Sequence, residues 1–308
     1  AELEKNLPDG VEKIDIAGPG FINFHLSREF FADRVVEALE KKDDWGKNDA
    51  YAGQRVMVEY TDPNPFKELH IGHLMPNALG ESIARLFMFA GAETKRVTYQ
   101  GDVGMHVAKA IYGMQKLGFT TDTPLSGSDL GKAYATGATA FEESPEIAAE
   151  ITKLNKAIYE RTDDNINTLY DKGKAVSLAS FEEGYDILGS DFDHNFFESE
   201  TASVGLARVG AHPEIFEKSD GAVIFRGEQY GLHTRVFINK EGLPTYEAKD
   251  IGLMECKQKW WPFDLTITVT GTEQVPYFAV MTKAAELINP ELAGKVELVP
   301  NGMLRLPT

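Results

Sequence analysis

A single cysteine, Cys256, stands in 308 residues, which excludes an internal disulfide framework and a zinc site built on thiolates. No apolar run approaches the roughly 20 residues that a membrane-spanning helix needs. The start, Ala1-Glu2-Leu3-Glu4-Lys5, has neither an initiator Met nor the apolar stretch of a secretory signal. A reducing, cytoplasmic setting without a membrane is therefore expected. Positive charge is scarce too, with 31 Lys and Arg against 48 Asp and Glu, a formal net of -17. Nucleic-acid binders carry a basic footprint, so this balance argues against extensive phosphate contact by these residues alone. A small cation, in contrast, would be attracted. No repeat or low-complexity tract is visible.

What is present suits a packed α/β protein: 43% of the residues are hydrophobic, and Gly and Pro are unremarkable. Alternation over 11–26 around Gly18-Pro19-Gly20 predicts two strands and a turn. Ser27 is placed to cap a helix bearing Phe30, Val35, Val36 and Leu39. These first 50 residues read as a small α+β appendage. Residues 55–60 then form a strand candidate, and Met75 to Ala90 carry helical spacing that Gly91 should end. A further strand falls at Val97–Tyr99. Strand, loop, helix, strand is the unit of a parallel sheet, giving residues 51–118 as the first half of a Rossmann-like nucleotide-binding domain. Residues 119–200, rich in Asp, Glu, Ala and Ser, read as a mostly helical insertion. Residues 201–308 return to strands at 222–226, 234–238 and 265–270. Helices are expected from Thr245, as cap, towards Lys259, and over 275–287.

The sharpest feature runs from Glu59 to Leu74, Glu-Tyr-Thr-Asp-Pro-Asn-Pro-Phe-Lys-Glu-Leu-His-Ile-Gly-His-Leu. It joins a strand end to a helix start, where ligands of open α/β sheets bind and where free N–H groups favour a phosphate. His70 and His73 would set two imidazoles near that phosphate, and Gly72 would let a nucleotide approach the backbone. Read alone, the pair is also compatible with ordinary helix-start residues. It suits a metal site less well, since no third ligand is evident nearby. In Gly242 to Ile251, Tyr246 and Asp250 lie four apart on one helix face. That carboxylate could pair with a guanidinium through two parallel hydrogen bonds, or sit on the surface beside a half-buried Tyr. Gln274, in Val269-Thr270-Gly271-Thr272-Glu273-Gln274, opens another helix at a strand end.

His-Ile-Gly-His after a strand resembles the nucleotide-binding signature of class I aminoacyl-tRNA synthetases. The longer string from Glu59, together with Ala17-Gly18-Pro19-Gly20-Phe21-Ile22-Asn23 and Gly101-Asp102-Val103-Gly104, resembles the arginyl member of that class. The resemblance implies activation of L-arginine with ATP, entering with Mg2+ and without a protein-bound metal, and transfer to tRNA(Arg). It also implies His70 and His73 as catalytic, and His70, Gly72 and His73 as ATP-binding. Glu59, Asp62, Pro63, Asn64, His73, Tyr246, Asp250 and Gln274 would form the arginine pocket, with Asn64 and Gln274 at the α-amino end.

There are departures. Asp62 stands where Ser is common in that family, and Met75 where Arg often follows. Asn301 to Thr308 resembles the lead-in to the family's Lys-Met-Ser-Lys loop, which does not follow. The expectation is therefore a fragment without that loop or the anticodon-binding domain, poorly active by itself, with most RNA contacts in other segments. Two alternatives are a catalytically inactive synthetase-like binding module and a class I synthetase for another amino acid.

Overall fold

The computed structural model describes residues 3–302. The chain separates into two compact units, residues 1–49 and 50–308. The first holds strands β1 (Val11–Ala17) and β2 (Phe21–Leu26), paired antiparallel, and helix α1 (Arg28–Lys41). Ser27 caps α1 as expected, its hydroxyl accepting from the Phe30 N–H at 3.1 Å.

The second unit is built on a five-stranded parallel sheet. Its strands are β3 (Arg55–Glu59), β4 (Glu93–Gln100), β5 (His194–Phe197), β9 (Leu265–Gly271) and β10 (Val296–Asn301), in spatial order β10-β9-β3-β4-β5. Between β3 and β4 lies α2 (Ile71–Phe89), which stops before Gly91 at φ 87°. Between β4 and β5 come α3 (Met105–Lys116), α4 (Gly127–Glu143), α5 (Pro145–Glu160) and α6 (Asp164–Leu188). After β5 follow α7 (Glu198–Ala211) and a small antiparallel sheet of β6 (Glu217–Ser219), β7 (Ala222–Phe225) and β8 (Arg235–Ile238). Helices α8 (Tyr246–Trp260) and α9 (Val275–Ile288) complete the unit. The fold is thus α/β and Rossmann-like, as the sequence pattern leads one to expect. Among the described residues, no helix is long and apolar enough to cross a membrane.

Strand β3 shows why the sheet is buried on both faces. Met57 joins an apolar cluster with α7, α8 and α9, while Val56 and Val58 point oppositely, into a cluster with Ala84 of α2. A third cluster joins α3 to α6 and takes in Phe66 from the loop after β3. Strand β5 falls inside the 119–200 stretch expected to be helical. Its four residues are too few to show a strand period, yet they pair with β4 as the sheet's outer strand.

Helices α7 and α8 touch backbone to backbone. A Cβ on Gly205 would lie 1.8 Å from the Ala248 carbonyl oxygen, and one on Gly252 would lie 2.1 Å from that of Thr201. This approach sets the first turn of α8 against the middle of α7 and the first turn of α7 against the middle of α8. One expected detail is different. Thr245 precedes α8, but its hydroxyl donates to the Val236 and Phe237 carbonyls, so it ties α8 to β8 and does not cap the helix.

Candidate active site

The first residues beyond β3, β4, β5 and β9 open onto one cavity of about 650 Å3. In the sheet, β3 lies between β4 and β9, so the chain departs on one side of β3 and returns on the other. Crevices at such a reversal are where open α/β folds bind ligands. Six carboxylates line the cavity, from Glu59, Asp62, Glu198, Glu247, Asp250 and Glu273, against one cationic side chain, Arg235. Lys257 and Lys249 behind the wall pair with Glu59 and Glu198, yet the acids still outnumber these cations and Arg235, which favours a cation.

The buried carboxylates are held by partners that differ from one to the next. Lys257 Nζ lies 2.8 Å from Glu59 Oε2 in an ion pair off the line of a hydrogen bond, and Thr268 donates to Oε1 at 3.2 Å. Lys249 Nζ donates to Glu198 at 2.7 Å. Arg235 donates to Glu247 at 3.3 Å. Asp62 accepts the Tyr99 N–H at 2.7 Å, yet burial and then the Glu59 charge hold its carboxyl well above the usual range. Among the described residues, Asp250 has no ion pair. It accepts the Tyr277 hydroxyl at 2.5 Å, and burial pushes it up to about 8.

The loop after β3 keeps strained backbone at this edge. Thr61, Asp62 and Phe66 have φ of 76°, 45° and 69°. A β-branched residue in that region is an outlier that surroundings must enforce. Here Asn77 Nδ2 donates to the Thr61 hydroxyl at 3.0 Å, and the Ser177 hydroxyl accepts the Phe66 N–H at 2.8 Å. Asn64 is set against the β4 end, where a Cβ on Gly101 would lie 2.3 Å from its Oδ1.

Just beyond, α2 starts with a reciprocal cap. His70 Nδ1 accepts the Gly72 N–H, and His73 Nδ1 accepts the His70 N–H, both at 3.1 Å. Each ring therefore keeps its hydrogen on Nε2, leaving two donors. The rings lie 4.0 Å apart between centroids. Burial, then the His70 charge, lowers His73 to about 4, so it is neutral near pH 7. Gly72 answers a need that the sequence did not reveal: a Cβ there would meet the His70 ring at 2.8 Å. A smaller cavity of about 180 Å3 lies at this helix start, lined by Gly72, Gly271, Glu273 and Asn301 among others, and it shares Glu273 with the acidic cavity. Asn301 Oδ1 is buried there without a donor.

Of the expected residues, Glu59, Asp62, Asn64, Tyr246, Asp250 and Gln274 meet in the acidic cavity. Pro63 is buried in the loop and does not line it. Gly72 lines the smaller cavity, whereas the His70 and His73 rings line neither. Tyr246 is 68% exposed. The tyrosine bonded to Asp250 is Tyr277, which sequence reasoning missed together with Glu198, Arg235 and Tyr99. Glu198 directly follows β5 at the sheet's ligand-bearing edge, but β5 is too short to show a strand period, so the sequence did not mark it. Asp102 faces away from the cavity into the fold, accepting from Tyr170, Lys174 and Ser199. The run expected after Asn301 lies outside the described residues from Met303 onward.

The family described as tRNA synthetases class I (R), catalytic domain, matches residues 34–304. The arginine–tRNA ligase of Treponema denticola is 31% identical over 299 residues, 94% of this chain and 50% of that protein. That of Clostridium perfringens is 28% identical over 314 residues, 99% of this chain and 54% of that protein. The arginyl-tRNA synthetase structure from Thermus thermophilus shares the fold at a TM-score of 0.74 and 24% identity, covering 98% of this chain and 56% of that one. The chain spans about half the length of the curated relatives it matches.

Proposed function

We propose, for a chain that belongs to the family of class I tRNA synthetases (R), that it carries the arginine and ATP sites of an arginine–tRNA ligase acting in protein synthesis in the cytoplasm. The observation that carries this reading is the six-carboxylate cavity, with Asp250 unmatched by any cation, beside a helix start that presents imidazole donors. A guanidinium supplies the planar charge that Asp250 lacks. Asn64 and Gln274 hold the α-amino end. The arginine carboxylate oxygen then attacks the α-phosphorus of ATP at the α2 start, the bond to the β-phosphate breaks, and pyrophosphate leaves. The terminal ribose hydroxyl of tRNA(Arg) next attacks the adenylate carbonyl and releases AMP.

Nothing in this scheme requires a covalent enzyme intermediate. The contribution of these residues is orientation and stabilisation of charge, with the Nε2–H groups of His70 and His73 directed at phosphate oxygens. Magnesium enters with ATP as part of the substrate. Glu59, tied to Lys257 and Thr268, acts as the wall behind the cation. Asp62, in place of the serine common in the family, adds a further acid near the ammonium.

Calorimetry with arginine, lysine and citrulline tests the reading. Arginine should bind, while lysine and citrulline, which lack the planar cation, bind far more weakly. Equal binding of all three, or of none, would remove the guanidinium assignment.

A further inference from the structure

We propose that Tyr277 is a positioning residue for specificity: its hydroxyl engages one oxygen of Asp250 within the protein and turns the other towards a substrate guanidinium. The inference rests on the arginine reading above and adds to it the group that sets the orientation of the acid.

A closed circuit of contacts carries the argument. Tyr277 stands in the first turn of α9 and donates to Asp250 Oδ2 at 2.5 Å. The Arg235 guanidinium lies over the Tyr277 ring, 5.5 Å from its centroid. Arg235 in turn donates to Glu247, one turn before Asp250 on α8. The circuit leaves α8 at Glu247, passes through β8 and α9, and returns to α8 at Asp250. Two consequences follow from that path. The internal guanidinium is matched to Glu247, so it does not neutralise Asp250. Oδ2 of Asp250 is engaged by Tyr277, and Oδ1 has no hydrogen bond among the described residues.

The electrostatics agree with this role. Asp250 faces Glu59 of β3, Asp62 in the next loop, Tyr99 of β4 and Glu198 of α7, with Lys257 and Arg235 as the nearby cations. Among these acids its proton is hard to remove, and the Tyr277 hydroxyl is the largest influence favouring the ionised form. Burial, then the Asp250 charge, keeps the phenol itself well above its ordinary range, so it remains a donor.

Tyr277→Phe removes only the hydroxyl and keeps the ring under Arg235. At pH 7 the variant should bind arginine about tenfold more weakly, as expected for one hydrogen bond to a charged group. The loss should shrink as pH rises towards 9.5, because alkali removes the proton that the variant retains. Citrulline, whose neutral ureido oxygen accepts from a protonated acid, should lose nothing, so arginine-over-citrulline selectivity falls about tenfold at pH 7 and recovers at high pH. An unchanged arginine affinity, or an equal loss for both ligands at every pH, overturns the proposal. Asp250→Asn separates it from the underlying reading. If that variant binds arginine normally, the arginine site itself is wrong; if it loses arginine while Tyr277→Phe keeps the wild-type pH profile, only the role of Tyr277 is wrong.

Discussion

The acidic cavity and the start of α2 lie at the same edge of one sheet, yet they are made in opposite ways. The cavity is assembled from four strands and three helices, and Lys257, Lys249 and Arg235 match Glu59, Glu198 and Glu247 within the protein, while Asp250 has no ion pair among the described residues. The helix start is assembled from four consecutive residues, and its two imidazoles are held by backbone N–H groups alone. The first arrangement needs the whole fold to exist before it can select a cation. The second exists as soon as the helix does. Under the proposed reading, recognition of the amino acid is tied to global stability, while the nucleotide end depends on local geometry.

The largest effect that can break this contrast lies beneath the cavity. Lys257 is fully buried against Glu59. Lys257→Met leaves a buried carboxylate unmatched, at a cost of about 3–5 kcal/mol in urea unfolding. Adding Glu59→Leu should recover most of that loss, because replacing a whole buried pair by apolar groups is often neutral. A single-variant cost under about 1 kcal/mol would mean that the cavity wall is not tied to stability. Next in size is Asp250→Asn, which keeps the shape and removes the charge. Arginine affinity should fall by about 2–4 kcal/mol in calorimetry, while the unliganded fold should gain stability near neutral pH, because Asn has no carboxyl that burial must keep protonated.

These two predictions fall where the sequence was hardest to read. Strand β3 was legible as a short apolar run and the helix after it by its spacing and its Gly91 stop, because such signals act between near neighbours, whereas the His70–His73 pair stood out through the family resemblance. Asp250 became a candidate through the family resemblance, since its spacing from Tyr246 alone also suited a surface carboxylate. Its partner was not legible, since Tyr277 lies 27 positions away on another helix and carries no local mark. Glu59 was noted as a strand end, but the lysine that neutralises it comes from α8. The Thr245 hydroxyl likewise chose the β8 carbonyls over its own helix, a choice made by tertiary contact and not by local propensity. Local caps can be read from a sequence, whereas ion pairs between distant segments await the fold.

A smaller effect comes from pH. Asp250 titrates at about 8 in the unliganded protein, and a guanidinium requires its ionised form. Arginine affinity should therefore rise up to tenfold per unit between pH 6 and 8 and then level off. Calorimetry in buffers of different ionisation enthalpy should detect close to one proton released at pH 6.5. The same group acts oppositely on the unliganded fold. Above the ordinary value of 3.8 the unfolded chain has lost a proton that the folded chain keeps, so this contribution to stability declines from about pH 4 to pH 8. A flat affinity profile would show that Asp250 is already ionised before arginine arrives.

The smallest effect tests the other side of the comparison, because at the helix start capping and nucleotide contact can be separated. His70→Ala removes an acceptor for the Gly72 N–H and should cost about 1 kcal/mol in stability, as helix caps do. His70→Asn restores an acceptor of a type favoured at that position, and His73→Gln supplies the partner that a reciprocal cap uses. Both should unfold close to wild type near neutral pH. Neither retains the imidazole Nε2–H, so ATP affinity should fall in both even though the helix is intact. His73 adds a pH signature: it stays neutral in the fold down to about 4, whereas the unfolded chain takes up a proton near 6.5. Stability should consequently drop as pH falls through that window, and His73→Gln should remove that part of the slope. If His70→Asn binds ATP as the wild type does, the imidazole serves only the helix, and the nucleotide end rests on Gly72 and the backbone around it.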